Sequence, residues 1–215
     1  MRRKDREMSK EFGFEVIDKA SYGVLSINDE NNEPYGIPLS IVRDGNNLYF
    51  HSALNGKKVT AFEKNSVVSV AFVGQVKVPE NFTIEELSEI AMDKSNTGTL
   101  ISKVFTTEYE SAVVKGKIKL VEDEEERLKV LKLVCEKYTP TKMDFFNSAI
   151  ESGLKLVNIY IIEIDEITAK RKKYDIHGEE MKWGRMEWKY GLSMCGGGKG
   201  LLCDNNPVLD INLTL

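Results

Sequence analysis

Residues 37–65, IPLSIVRDGNNLYFHSALNGKKVTAFEKN, decide the fold. Two β-prone runs, IPLSIV and NLYFHSA, flank the turn residues Arg-Asp-Gly-Asn-Asn, which predicts an antiparallel hairpin. After a second turn at Asn55 and Gly56 the spacing changes. Val59 and Phe62 stand three apart, as on a short helix, just behind the adjacent lysines Lys57 and Lys58. A strand end carrying His51 and Ser52, a glycine turn and a lysine-opened helix would bring several donors together. The first N–H groups of a helix lack intrahelical acceptors and carry partial positive charge, so the natural ligand is an anion, a phosphate dianion above all. The bland alternative is a solvated helix start with a satisfied surface histidine.

Outward from this block, MRRKDREMSKEFGFEVIDKA places Met8, Phe12, Val16 and Ile17 at helical spacing, and YGVLSI then reads as a strand. DENNEPYG is a turn, and SVVSVAFVGQVKV is a long strand. Residues 80–102 read as a helical insertion over a sheet edge, capped by Thr83 with Glu86 three positions on and running out in KSNTGT. YESAVVKGKIKLV is a strand. DEEERLKVLKLVCEKY is an amphipathic helix with Leu128, Leu131, Val134 and Cys135 on one face, and LVNIYIIEIDEITAK is the last strand. Five to seven strands with interspersed helices predict a compact, mainly β, α+β barrel.

A chain of 215 residues with 41% hydrophobic content can bury a core, and one domain of residues 1–170 followed by a tail, 171–215, is expected. The net charge of −4 argues against general attraction to nucleic acid or an anionic membrane, and the KRKK run at 170–173 follows a strand end. No apolar run reaches the length of a membrane span, and the first twelve residues lack the apolar middle of a signal peptide, so a cytoplasmic location is expected. Cys135, Cys195 and Cys203 show no metal spacing, and His51 and His177 are the two histidines, so no metal is expected. CGGGKG in the tail lacks the Ser or Thr of a phosphate loop; Gly200 and Leu201 follow Lys199 instead. The tail reads as flexible or as wrapping a partner subunit.

Two blocks carry a resemblance. YGIPLSIVRDGNNLYFHSALNGKKVTAFEKNSVVSVAF and FTTEYESAVVKGKIKLVEDEEERLKVLKLVCEKYTP resemble the FMN-binding split barrels related to pyridoxamine 5′-phosphate oxidase, and within them the nitroimidazole-resistance (Nim-type) flavoproteins. The resemblance spans roughly residues 1–170. It implies a six-stranded antiparallel split barrel that forms a homodimer with FMN at the subunit interface. Lys57 and Lys58 match the basic residues that grip the FMN phosphate, and His51 and Ser52 the strand-end pair facing the cofactor. Pro38, Leu39, Ser40 and Ile41 match the segment along the flavin. Ser111 stands where the oxidases have a cofactor-contacting glutamine. Gly36 and Ile41 depart from basic positions of the oxidases, which argues against vitamin B6 oxidation. Trp183, Arg185 and Trp188 are candidates for the oxidases' C-terminal basic and aromatic pair. The implied activity is FMN-dependent reduction of nitroimidazoles or similar small molecules, with His51 as the catalytic candidate and a reduced nicotinamide as one candidate donor. The alternatives are a non-catalytic flavin- or haem-binding module, an oxidase-like enzyme, and a related flavin such as a deazaflavin in place of FMN.

Overall fold

Ser9 starts the first α-helix in the computed structural model, which describes residues 2–185. Its hydroxyl accepts the Phe12 amide at 3.2 Å, and α1 (Lys10–Lys19) buries Phe12, Val16 and Ile17, the residues whose spacing predicts it. Met8 lies outside the helix, in β1 (Glu7–Met8), opposite Ala169.

The strands that follow are β2 (Gly23–Asn28), β3 (Pro34–Leu39), β4 (Val42–Asp44) and β5 (Asn47–Ala53), then helix α2 (Lys57–Lys64) and β6 (Val67–Lys77). A helical excursion, α3 (Ile84–Met92) and the one-turn α4 (Thr97–Thr99), leads to β7 (Glu108–Leu120). Helices α5 (Glu124–Tyr138) and α6 (Phe146–Gly153) precede β8 (Val157–Lys172). The architecture is α+β. One antiparallel sheet runs β3-β2-β6-β7-β8-β5-β4, with β1 on the far end of β8. Eight strands stand where six were expected, two of them only two and three residues long.

The predicted hairpin from 37 to 53 divides. Val42–Asp44 pairs with Asn47–Ala53 through a turn in which Gly45 has φ 58°, but Ile37–Leu39 pairs with β2 instead. The reason is local: Asp29 Oδ1 accepts the Asn31 and Glu33 amides, each at 2.9 Å, and folds β2 back onto β3.

The inner face collects Leu25, Ile41, Leu48, Phe50, Val70, Phe72, Val114 and Ile162, all fully buried or nearly so. Phe50, Phe62 and Tyr160 form an aromatic triad with centroids 4.9–5.9 Å apart. Helix α5 packs Val130, Leu131 and Val134 against Val42, Tyr49 and Ile159; Leu128 and Cys135, expected on the same face, are half-buried.

On the outer face, Pro38, Val24, Ala71 and Val113 stand opposite one another across four neighbouring strands, and all four are exposed. Thr83 and Glu86 form the predicted capping box of α3, yet α3 buries none of its residues. After β8 the chain returns to the N-terminal segment: Arg6 Nε meets Glu180 Oε1 at 2.6 Å, and the Trp183 amide donates to the Asp5 carbonyl at 2.7 Å. Trp188, Cys195, Cys203 and the glycine run at 196–200 lie outside the described residues.

Candidate functional site

The site begins where β5 gives way to α2. Gly56 precedes the helix with φ 127°, a conformation that favours glycine, and a Cβ built there would meet nothing within 4 Å. Its carbonyl takes the Val59 and Thr60 amides, while no side chain caps the helix. The Lys57 and Lys58 amides therefore have no intrahelical acceptor, and they lie at the positive end of the helix dipole.

The two lysines differ. Lys57 Nζ sits 2.8 Å from Asp29 Oδ2, and the Asp29 side chain is only 1% exposed. The contact is within ion-pair reach but not aligned as a hydrogen bond, and Asp29 Oδ2 has no aligned donor. Lys57 also lies 4.8 Å from the centroid of Tyr35. The Lys57 ammonium, then the Glu33 amide, hold the Asp29 carboxyl below its usual range, and Asp29 in turn raises Lys57. Lys58 is half-buried and has no ion-pair partner among the described residues. Of the predicted pair, Lys58 is the cation open to a ligand.

His51 and Ser52 share a strand but not a face. Ser52 points inward, 2% exposed, and donates to the Ala53 carbonyl at 3.1 Å; His51 points outward. Although the imidazole is exposed, the protein crowding it disfavours the cation, and the Lys58 charge adds to that, so its pKa lies below 6.5. Neutral His51 at pH 7 is the consequence. An NMR titration is expected to place its midpoint below 6.5, and Lys58→Ala to raise it only part of the way, because desolvation is the larger cause. A midpoint unmoved by Lys58→Ala would separate the two side chains.

The chain places the remaining candidates on two different parts of the sheet. Pro38 is exposed, Leu39 buried, Ser40 half-buried and Ile41 fully buried. Because β3 ends the sheet, its outward backbone groups are open to a ligand. Ile41 cannot present its side chain to a substrate. Ser111 lies mid-sheet on β7, opposite Val73 and Lys170. His51 faces Ile159 of the same strand β8, so the two registers are eleven residues, about 35 Å of extended strand, apart. One protomer does not bring Ser111 to His51 and Lys58.

Sequence reasoning missed Asp29 and Tyr35 as the partners of Lys57. It also missed Lys137 and Tyr138, which hold the Ile41 carbonyl. Among the described residues no three His, Cys, Asp or Glu side chains gather as metal ligands, and no helix is long and apolar enough to cross a membrane.

A family model described as pyridoxamine 5′-phosphate oxidase matches residues 11–171. No curated protein sequence matches the chain. Among solved structures, a candidate 5-nitroimidazole antibiotic resistance protein from Bacteroides thetaiotaomicron is 21% identical with a TM-score of 0.57, covering 76% of this chain and 84% of its own. An FAD- and haem-binding protein from Mycobacterium smegmatis is 15% identical, with a TM-score of 0.57 over 78% of this chain and 73% of its own. A flavocytochrome from Azotobacter vinelandii is 12% identical, with a TM-score of 0.57 over 96% and 87%. At these identities the likeness is one of fold.

Proposed function

Because the chain belongs to the pyridoxamine 5′-phosphate oxidase family, we propose that it is a Nim-type flavoprotein, an FMN-dependent oxidoreductase that reduces nitroimidazoles or similar small molecules. The observation that carries this reading is the donor set at the start of α2: the Lys58 ammonium, two backbone N–H groups without intrahelical acceptors, and the open space at Gly56. This set suits a phosphate, and the family match supports reading that phosphate as a flavin's. Flavin binding is also what the M. smegmatis protein of similar fold is named for.

When bound, the flavin supplies the electron transfer. The Lys58 ammonium and the α2 amides neutralise its phosphate by charge-assisted bonds. The backbone of Pro38–Ile41, at the open end of the sheet, orients the ring through N–H and C=O groups. His51, neutral at pH 7, offers a ring N–H to a nitro or carbonyl oxygen of the substrate. Gly36 is exposed and Ile41 buried, and neither supplies the basic side chain that the resemblance to the oxidases leads one to expect at those two positions, which disfavours the oxidase reaction.

The active form is a homodimer in which the six longer strands, β2, β3 and β5 to β8, make up the split barrel. The exposed apolar row Pro38, Val24, Ala71 and Val113 supplies a surface for a second copy. Ser111, on the same face of β7 as Val113, would then lie at the contact between the two copies.

Reduced, flavin-loaded protein tests the reading: oxidation of its flavin by a 5-nitroimidazole, with release of a reduced product, is expected. Stable flavin without turnover would leave a binding module of the flavin or haem kind. His51→Ala is expected to keep its flavin and lose at least tenfold in turnover, within the range of lost proton-transfer assistance, roughly 10²-fold or more at full effect. Flavin lost together with activity would make His51 a binding residue.

A further inference from the structure

The segment Ser40–Ile41 joins β3 to β4 and lies in neither, so the Ile41 carbonyl has no place in a strand ladder. A buried carbonyl of that kind needs donors from elsewhere. Two come from the last turn of α5. Lys137 Nζ donates to it at 3.0 Å and Tyr138 Oη at 2.9 Å. The same ammonium donates at 3.2 Å to the Ile17 carbonyl in the last turn of α1, so one cation ties together two helix ends and the link.

The grip is tight for physical reasons. Lys137 is half-buried, so the Ile17 and Ile41 carbonyls take the place of water as acceptors for its ammonium; burial pushes its pKa down, and the Asp18 carboxylate opposes that shift. It also lies 5.3 Å from the Tyr138 ring centroid, and Tyr138 stands 6.3 Å from the ring of Tyr22, which is 58% exposed beside the start of β2. From the inner side, the fully buried Ile41 side chain is wedged against Gly23, where an added Cβ would stand 2.8 Å from Ile41 Cδ1. Ile41 is thus held at both its carbonyl and its side chain.

We propose that Lys137 and Tyr138 are positioning residues of the flavin site, fixing the backbone of Pro38–Ile41 in register with the ring by holding the Ile41 carbonyl. The inference rests on the flavin reading and on Pro38–Ile41 as the ring-side segment. Neither side chain touches the cofactor; each acts through the carbonyl. Backbone groups beside a flavin interact differently with its oxidised and reduced forms, so a displaced segment changes the ratio of the two affinities. A purely structural role would weaken both forms alike.

The test uses the full chain loaded with FMN, in wild type, Lys137→Met and Tyr138→Phe, with Lys132→Met on the exposed face of α5 as control. The readouts are the FMN dissociation constant, the midpoint potential and the melting temperature. A change of tenfold or more in the ratio of reduced to oxidised affinity is expected in Lys137→Met, seen as a potential shift of about 30 mV for a two-electron couple. A smaller shift is expected in Tyr138→Phe, and none in Lys132→Met. If wild type binds FMN and both variants lower only the melting temperature, the positioning role is overturned while the flavin reading stands. If Lys137→Met does not fold, Tyr138→Phe decides in the same terms. Wild-type protein that takes up no flavin overturns the flavin reading itself, and the positioning role with it.

Discussion

Lys58→Ala protein is expected to purify largely without flavin, while Lys57→Ala protein keeps much of its flavin but melts at a lower temperature. The two side chains are adjacent in sequence and opposite in circumstance. Lys58 is half-buried, has no carboxylate partner among the described residues, and is close enough to His51 to depress its pKa. A phosphate bound there gains a charge-assisted hydrogen bond, worth about 1.5–3 kcal/mol, so its loss weakens binding roughly 10- to 100-fold. Lys57 is already engaged. Its ammonium faces the buried Asp29 carboxylate that folds β2 onto β3, and removing it leaves that carboxylate without its cation. Flavin titration and thermal melts on the two single variants check the contrast. Equal flavin loss in both would show that Lys57 leaves Asp29 for the phosphate.

Gly116→Ala is expected to be among the most damaging single-atom changes in the fold. At Gly116 the β7–β8 register shifts, Lys115 facing Glu166 and Gly116 facing Ile164. A Cβ there would stand 2.2 Å from the Glu163 carbonyl oxygen and 3.0 Å from Ile162 Cγ2. The nearest obstacle is backbone, so no side-chain rotation relieves it, and the two central strands must separate. Overpacking of this kind costs about 3 kcal/mol. For a domain of this size that is a drop of roughly 6–12 °C in melting temperature. Gly23→Ala is the comparison, because its added Cβ meets only Phe72 and Ile41 side-chain atoms, at 2.7 and 2.8 Å. A Gly116→Ala protein that melts like wild type would mean that the strands slip their register to admit the methyl group.

Periodicity made much of this architecture readable in advance. Phe12, Val16 and Ile17 on α1, Val59 and Phe62 on α2, and the Thr83–Glu86 cap of α3 are local signals, and local contacts produce them. Pairing is not local. Ile37–Leu39 reads as a strand in either partnership, and only the folding of Asp29 onto Asn31 and Glu33 sends it to β2 rather than β5. Helix α6 was not anticipated, since Phe146, Ala149 and Ile150 keep helical spacing over only eight residues and no side chain caps its start. The same limit applies at the site. The helix start with its two lysines was visible, but the capture of Lys57 by a residue twenty-eight positions earlier was not. Likewise, Lys137 and Tyr138 reach back ninety-six and ninety-seven positions to one carbonyl.

The meeting of the N-terminal segment with residues 174–183 bears on how the chain can be rewired. Glu7 and Met8 pair with β8, Arg6 holds Glu180, and the Trp183 amide reaches the Asp5 carbonyl, so the two extremities of this fold are already neighbours. A short loop joining residue 184 to residue 3 would close the circle with little extension. New termini could then open at the exposed polar stretch Lys94–Asn96, in the excursion whose helix α3 buries nothing. In such a circular permutant β6 and β7, consecutive strands of one hairpin here, would become the last and first strands of the molecule. The Lys58 end of the sheet would keep every covalent connection it has now.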